Sequence, residues 1–286
     1  MALIPPFFLD CVVAIGVINA DKSKSWIGTG FLVGRFFRQR EGGGKDYHVF
    51  LVTNKHVLDK VSSIVVRFNP QPQTAEPARD YDVPLIDASG SKLWTEHPSQ
   101  DIDIATININ PKTLREHGMK FDYFKTDADH LLDIRGMVDR GMTEGDFVYV
   151  LGYPMGIVAP DRQYAITRSG SIARIRDLLE RRSNDFIVDA FVFPGNSGGP
   201  VVSKPEYFAI QGTKVISKAY LIGIIKSYVP YQDVAISQQT GRPRVVFEEN
   251  SGLSSVIPVD FIMETIEICF KTLNLVEEQT VEKKQS

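Results

Sequence analysis

Short apolar runs separated by turn residues dominate the hydrophobic pattern of the chain. They are rich in Val, Ile and aromatic residues, a composition typical of β-strands. The runs span residues 11–18, 26–36, 48–53, 62–68 and 103–109 in the first half, and 146–153, 163–175, 185–193, 219–229, 243–249 and 252–259 in the second. About a dozen short strands at this spacing predict an all-β sandwich or a pair of barrels.

A polar, irregular stretch separates the two groups of runs. Residues 110–145 carry no sustained apolar period, which suits a connection between two β lobes. We therefore predict an N-terminal lobe over 1–140 and a C-terminal lobe over 141–275. Residues 276–286 are polar and are expected to form a flexible tail.

One helix is predicted near the end of the chain. Pro258 opens the segment "PVDFIMETIEICFKTLNL", in which four apolar residues recur at steps of three or four: Ile262, Ile266, Cys269 and Leu273. We expect this face to pack on one of the lobes.

Composition places the chain among globular proteins. Its 286 residues are 43% hydrophobic and 23% charged, enough to bury one large core or two small ones. The net charge of -3 gives no general attraction to nucleic acid or to a membrane surface. The expected partner is a protein or a small molecule.

Cysteine usage and the N-terminal residues favour a cytoplasmic location. The two cysteines, Cys11 and Cys269, lie near opposite ends, which does not suit a disulfide framework. The first twenty residues lack a basic region and contain Pro-Pro and Asp10, so we expect no signal peptide. No apolar run reaches the length of a membrane span.

The segment "FVFPGNSGGPVVS", residues 191–203, surrounds a serine with residues that interrupt strands and helices. "GNSGG" matches the G-x-S-x-G nucleophile elbow of α/β-hydrolases. That family needs its histidine after the serine, whereas all five histidines precede Ser197. The elbow also leads into a helix, whereas Pro200 follows here, so we exclude that fold.

A histidine and an aspartate precede the serine at suitable places. His56 ends an apolar strand in "FLVTNKHVL", and Asp103 begins one in "SQDIDIATI". Asp103 follows His56 by 47 residues, and Ser197 follows Asp103 by 94. Asp101 lies two residues earlier on the same strand face and is the competing acid.

These segments resemble the trypsin-like serine peptidases, and among them the HtrA/Deg-type protease domain. The resemblance rests on "GTGFLV", "LVTNKHVL", "DIAT", "GDFVYVLGYPMG", "ITRSGSIA", "VDAFVFPGNSGGPVV", "LIGII" and "SGLSSVIPVD", in this order between residues 28 and 260. It implies two antiparallel six-stranded β-barrels of the chymotrypsin type, followed by the C-terminal α-helix. The order His, Asp, Ser is the one that this fold uses.

The resemblance implies a serine endopeptidase that works through an acyl-enzyme. A serine hydroxyl is a weak nucleophile, so Ser197 needs His56 to accept its proton and Asp103 to orient the imidazole. The backbone N–H groups of Gly195 and Ser197 are expected to form the oxyanion hole. The family places its acid directly before an Ile-Ala or Leu-Ala pair, which Asp103 matches.

Substrate binding is expected as an extended strand added to the residues near 225–228. The resemblance implies that six residues shape the S1 pocket: Phe191, Val192, Phe193, Ile225, Lys226 and Ser227. Because no acid lies six residues before Ser197, we predict a small or medium aliphatic residue at P1.

Activation by cleavage is not expected. The digestive enzymes carry an aspartate before the serine, where this chain has Asn196. We expect no propeptide and no C-terminal PDZ domain, and control by loop ordering or by a regulatory partner. The alternative function is a catalytically latent binding module that serves as a scaffold or chaperone.

Three further motifs have plainer interpretations. "DADH" at 127–130 lacks a second ligand cluster and is interpreted as a solvated loop rather than a metal site. "EGGGK" at 41–45 lacks the spacing of a phosphate loop and predicts a hairpin tip. "ARIRDLLERR" at 173–182 is interpreted as an exposed loop, with a regulatory contact as the alternative. We expect no metal and no cofactor.

Overall fold

A computed structural model describes residues 3–71 and 76–275, and its strands form two sheets. The first sheet uses only strands from before residue 126. These strands are β1 (Val12–Ile18), β2 (Lys24–Gln39), β3 (Lys45–Thr53), β4 (Ser63–Pro70), β5 (Arg79–Pro84), β6 (Thr95–Glu96), β7 (Ala105–Ile109), β8 (Met119–Lys120) and β9 (Phe124–Lys125).

The second sheet is a closed six-stranded antiparallel barrel. Its strands are β10 (Phe147–Gly152), β11 (Ile166–Arg174), β12 (Phe186–Asp189), β13 (Pro200–Ser203), β14 (Leu221–Ile236) and β15 (Pro243–Pro258). They pair in the order β10-β11-β12-β15-β14-β13, and β13 pairs with β10 to close the barrel. The all-β, chymotrypsin-like double-barrel fold expected from the sequence is confirmed.

The N-terminal sheet differs from the expected six-stranded barrel in one respect. Its main strand order is β5-β4-β1-β2-β3-β7-β6, and within the described residues β5 and β6 do not pair with each other. The edge strand β6 is only two residues long and pairs only with β7. Buried side chains from outside the strands complete this lobe's core, including Val57, Leu58, Leu85 and Trp94.

Helices are short except for the last. They are α1 (Pro6–Asp10), α2 (Lys55–Leu58), α3 (Pro111–Glu116), α4 (Ile134–Arg140), α5 (Arg176–Leu179) and α6 (Val259–Thr272), with a 3₁₀ turn at Pro154–Gly156. Residues 110–145 are therefore less irregular than their pattern indicates. Asn110 caps α3 by accepting from Lys112 N–H, and Asp133 caps α4 by accepting from Gly136 N–H.

The C-terminal helix is present and packs against both sheets rather than on one lobe. The predicted face is buried at Ile262, Ile266 and Cys269, whereas Leu273 lies just beyond α6 and is 49% exposed. Arg35 on β2 donates to the Glu267 carboxylate over 2.6 Å and so ties the helix to the N-terminal lobe. The predicted tail at 276–286 lies outside the described residues.

A shared core joins the two lobes. Phe31 from β2, Leu151 from β10, Ile224 from β14 and Ile262 from α6 belong to one buried cluster. Cys11 and Cys269 are both buried and carry free thiols. In the part of the chain that the structure describes, no helix has the length and apolarity needed to cross a membrane.

Candidate active site

His56 lies on a short helix at the end of β3. Val57 and Leu58 are buried and hold this turn against the core. The His56 side chain faces solvent and is 50% exposed. Asn54 precedes the helix with extended backbone, and its side-chain amide donates to the Asp103 carbonyl over 2.7 Å. The amide therefore joins the histidine turn to the strand that carries the acid.

Asp103 lies just before β7, between the buried side chains of Ile102 and Ile104. Its side chain projects to the opposite side, where Oδ2 is 2.5 Å from His56 Nδ1. Its Oδ1 accepts the His56 backbone N–H over 3.1 Å. Asp101 is exposed. The structure thus brings Asp103, and not Asp101, to the histidine.

The surroundings of Asp103 favour the ionised carboxylate. Burial raises the pKa of this group, but the hydrogen bonds and charge of His56, together with the nearby Lys55, outweigh burial. The net result is that the pKa of Asp103 lies below its ordinary value. An ionised Asp103 fixes the proton on His56 Nδ1 and leaves Nε2 free to accept one.

Ser197 lies in a tight turn between β12 and β13. Asn196 N–H donates to the Phe193 carbonyl over 2.9 Å, and Gly199 N–H donates to the Asn196 carbonyl over 2.8 Å. The fully buried Asn196 side chain accepts Phe193 N–H over 3.1 Å, so it fastens the turn from inside. Ser197 itself is only partly buried.

Two glycines are required by the backbone of this turn. Gly195 and Gly198 have φ angles of +98° and +82°. A Cβ on Gly195 would lie 2.4 Å from the Tyr153 carbonyl oxygen, and one on Gly198 would lie 2.1 Å from that of Thr29. Because both positions need left-handed backbone and close approach, a larger residue would displace the serine turn.

The turn presents two free backbone donors. Within residues 3–71 and 76–275, neither Gly195 N–H nor Ser197 N–H donates to a protein acceptor. Met155 N–H donates to the Pro194 carbonyl over 2.6 Å. Since the C=O and N–H of a trans peptide point in opposite directions, this bond turns Gly195 N–H away from the 154–156 turn.

Thr29 connects the serine turn to its surroundings, a role that no sequence motif indicated. Its hydroxyl accepts Tyr153 N–H over 3.0 Å and therefore donates to the Gly195 carbonyl over 2.6 Å. Its backbone N–H donates to the Ser197 carbonyl over 2.9 Å, and its own carbonyl accepts the Thr53 hydroxyl. Thr29 is completely buried.

Backbone packing brings the serine turn next to the histidine turn. The Cβ position of Gly198 is 2.3 Å from the hydroxyl of Thr53, three residues before His56. The Cβ position of Gly28 is 2.8 Å from Val57 Cγ1 and 3.5 Å from the Ser197 carbonyl. The backbone of Ser197 and the helical turn that carries His56 therefore both pack against β2 at Gly28.

The residues expected to bind substrate occupy different environments. Val192 and Ile225 are buried in the core of the C-terminal barrel, so only their backbone faces the site. The backbone of Ile225 exchanges hydrogen bonds with the serine turn, because Gly198 N–H donates to its carbonyl over 3.1 Å and its own N–H donates to Gly199 over 2.9 Å. The strand after Ile225 therefore begins beside Ser197.

Side chains of different character surround this strand. The Phe193 ring lies under the guanidinium of Arg168 at 5.0 Å. Lys226 is 3.7 Å from Asp185, and Ser227 is exposed. Phe191 is 53% exposed, and its ring lies 3.3 Å from where a Cβ on Gly252 would be.

The described residues hold no group of three or more His, Cys, Asp or Glu side chains placed to bind a metal ion. The arrangement offers instead an imidazole with an ionised acid behind it, a hydroxyl and two free amides. These groups can move a proton and hold a developing negative charge.

Comparison with known proteins agrees with this chemistry. A family model of the trypsin-like peptidase domain matches residues 28–206, a span that includes His56, Asp103 and Ser197. No curated protein matches the chain. Since the match covers more than half of the sequence, the chain belongs to the trypsin-like peptidase family.

Proposed function

We propose that the protein is a serine endopeptidase with the triad His56, Asp103 and Ser197. The observation that carries the proposal is the 2.5 Å contact between His56 and an ionised Asp103, next to a serine turn with two free amides. Residues that only shaped a turn would need neither an exposed imidazole nor unpaired donors.

The reaction begins with Ser197. As its Oγ forms a bond to the substrate carbonyl carbon, the hydroxyl proton passes to His56 Nε2. The carbonyl π-electrons move to oxygen, where Gly195 N–H and Ser197 N–H stabilise the negative charge. The C–N bond then breaks, and His56 gives its proton to the leaving amine. Water hydrolyses the acyl-enzyme by the same steps, with water in the place of the serine as the attacking group.

Thr29 is proposed as a positioning residue for the oxyanion donors. The variant Thr29→Val keeps the shape of the side chain but leaves Gly195 C=O and Tyr153 N–H unpaired in a buried place. We expect kcat to fall about tenfold or more with little change in KM, because the donors act mainly on the transition state. Steady-state kinetics on a peptide substrate measures both constants.

Thr29→Ser is the matched control for this prediction. It retains the hydroxyl and should restore kcat to within a few-fold of the wild type, although it loses the packing of the methyl group. A Thr29→Val variant with the kcat of the wild type would show that Thr29 does not position the donors.

The S1 pocket is proposed to accept a small or medium aliphatic P1 residue. Phe191 occupies the position six residues before Ser197, and its ring lies against Gly252. Arg168 adds positive charge near the same loop, since its guanidinium lies over the Phe193 ring, whereas Lys226 is paired with Asp185. A cationic P1 side chain would find no acid at position 191 to balance its lost hydration.

A library of peptides that vary only at P1 tests this specificity. We expect kcat/KM for Ala, Val or Ile at P1 to exceed that for Arg or Lys by about tenfold or more. Preferential cleavage after Arg or Lys would contradict the assignment of Phe191 to the pocket.

We further propose an HtrA/Deg-like, cytoplasmic enzyme that a protein partner controls. Asn196 supports the absence of a zymogen switch, because its side chain bonds within the turn to Phe193 N–H rather than to a distant group. We place the contact with this partner at the α5 segment, which Glu144 joins to the residues that lead into β10 by accepting Ile175 N–H and the Arg176 side chain.

A fluorophosphonate probe tests the proposed function directly. The probe bonds to the nucleophilic serine oxygen and releases fluoride, so the wild type should label and Ser197→Ala should not. Labelling is measured alone and with candidate partner proteins. Absence of Ser197-dependent labelling in every condition would overturn the proposal and favour a catalytically silent binding module.

A further inference from the structure

The distal halves of β14 and β15 form a two-stranded ribbon that leaves the barrel, here called the arm (residues 229–236 and 243–250). In the described structure, β13 pairs with β14 only up to Ile224, and β12 pairs with β15 only from Leu253 to Val256. Beyond these points β14 and β15 pair only with each other. The arm therefore has two edges outside the barrel.

Apolar side chains cover both faces of the arm. Cross-strand partners share a face, so the pairs Asp233–Phe247 and Ala235–Val245 lie on one side, and Val234–Val246 on the other. Six large apolar side chains are 41–62% exposed: Tyr231, Val234, Ile236, Val245, Val246 and Phe247. A lone two-stranded ribbon is marginal in water, and exposed apolar patches mark interaction sites.

The β14 edge of the arm is blocked by its own residues. Pro230 has no N–H to offer to another strand. Val234 N–H is taken by the adjacent Asp233 carboxylate over 2.8 Å. Proline and inward-bonded charges are features that prevent edge pairing.

The β15 edge is open. Pairing runs without a bulge from Tyr231–Glu249 to Ala235–Val245. Val234 N–H bonds to the Asp233 side chain and is therefore turned away from β15. Val234–Val246 is thus a non-hydrogen-bonded pair of the ladder. The N–H and C=O of Val246 consequently point to the free edge of β15. By the strand's alternation, Glu248 directs its backbone groups to the same edge, and Arg244 lies at the bulge that ends the regular pairing, where the register shifts between Ala235 and Ile236.

The sequence along this edge is complementary to itself. It has Arg244 at one end, Glu248 at the other and Val246 in the middle. Arg244 makes no ion pair within the described residues. Glu248 is held by the Tyr228 hydroxyl, which donates over 2.6 Å and lowers the pKa of Glu248. An antiparallel copy of the strand would place each charge opposite its complement, whereas a parallel copy would place like charges together.

We propose that two copies of the chain associate through this edge, antiparallel, about a two-fold axis at Val246. Val246 then lies opposite Val246 of the second copy and exchanges two backbone hydrogen bonds with it. Arg244 lies opposite Glu248 of the second copy, twice by symmetry. On the other face, Val245 lies opposite Phe247. The result is a four-stranded sheet in which the β15 edges are covered.

Sedimentation of the full chain, in the Ser197→Ala background to prevent self-cleavage, tests the proposal. The parent chain should show a concentration-dependent dimer. In Arg244→Glu, two pairs of carboxylates face each other, one pair on each side of the two-fold axis. Their repulsion should raise the dissociation constant about tenfold or more. Arg242→Glu, the same charge change outside the paired segment, is the control and should leave dimerisation within a few-fold.

A mixing experiment tests the register itself. Arg244→Glu and Glu248→Arg should each be monomeric alone, since each opposes like charges. An equimolar mixture of the two variants should dimerise. The Arg244→Glu chain carries carboxylates at positions 244 and 248, and these face the two guanidinium groups that the Glu248→Arg chain carries at the same positions. Thermal unfolding of each variant verifies that it folds.

Three outcomes would overturn the proposal. The first is a parent chain that stays monomeric at every concentration. The second is a dimer that Arg244→Glu leaves intact. The third is a pair of folded charge variants that fail to associate when they are mixed.

Discussion

Ser197→Ala should lower kcat on a peptide substrate by about 10⁶-fold. The change removes the oxygen that forms the acyl bond, and no other hydroxyl is placed in the turn that Gly195 and Gly198 shape. What remains is attack by water on the substrate carbonyl, with the two free amides stabilising the negative charge on its oxygen. Hydrolysis of a chromogenic peptide, followed over hours for the variant, measures the loss.

The free energy of unfolding should change little in the same variant. Ser197 is fastened through its backbone, where Thr29 N–H donates to its carbonyl. Ser197→Ala leaves this bond intact, so urea unfolding should give a midpoint close to that of the wild type. A variant that loses activity and stability together would show a collapsed turn, and Ser197→Cys, which retains a nucleophile, would then be the variant to compare.

Asp103→Asn should lower kcat by about 10⁴-fold. The amide can no longer take both N–H groups of His56, which the carboxylate accepts at 2.5 and 3.1 Å. The His56 imidazole is then no longer held in the tautomer that leaves Nε2 free to accept a proton. The imidazolium that forms when His56 accepts the Ser197 proton also loses the negative charge of the carboxylate beside it. Steady-state kinetics on a peptide substrate measures the effect.

Asp101→Asn is the matched control, because it makes the same change two residues away on an exposed side chain. It should retain activity within a few-fold. Comparable losses in the two variants would contradict the assignment of the acid to Asp103.

The same aspartate predicts a pH dependence of stability. The folded-state pKa of Asp103 lies below its ordinary value, so the unfolded chain binds the proton more readily. The ionised group therefore contributes stability above about pH 4, and this contribution is lost as the pH falls through the folded-state pKa. The stability difference between the wild type and Asp103→Asn should shrink over that range in urea titrations.

Several elements were predictable from the sequence because their signals are local. Short runs of Val, Ile and aromatic residues between turn residues located most of the long strands, and Pro258 with the apolar steps that follow it located α6. The strand β13 was missed because Pro200–Ser203 follows glycines and is only four residues long. The sequence also contains no local signal that the first sheet stays open. Closure would require the edge strands β5 and β6 to pair, and β6 is only two residues long.

The acid was the member of the proposed triad for which the sequence left a competing residue. Asp101 and Asp103 share a strand face, so periodicity alone could not separate them. Contacts from His56, 47 residues away, distinguish them. The substrate residues show the same limit, since the side chains of Val192 and Ile225 face the barrel core.

The arm shows where apolar pattern misleads. Residues 243–249 have the composition of a core strand, and the later half of β15 does pack in the barrel, but Val245, Val246 and Phe247 are exposed. Composition reports the tendency to form a strand. It does not report whether a neighbour covers that strand.

By itself the sequence determined the all-β class, the chain order of histidine, aspartate and serine, and the glycines that the serine turn requires. These follow from backbone geometry and from chemistry that specific residue types alone can perform. Only the tertiary structure decided that Thr29 holds Gly195, that Asp103 rather than Asp101 meets His56, and that the arm's β15 edge stays open. Each of these depends on atoms far apart along the chain, whose distance no local pattern encodes.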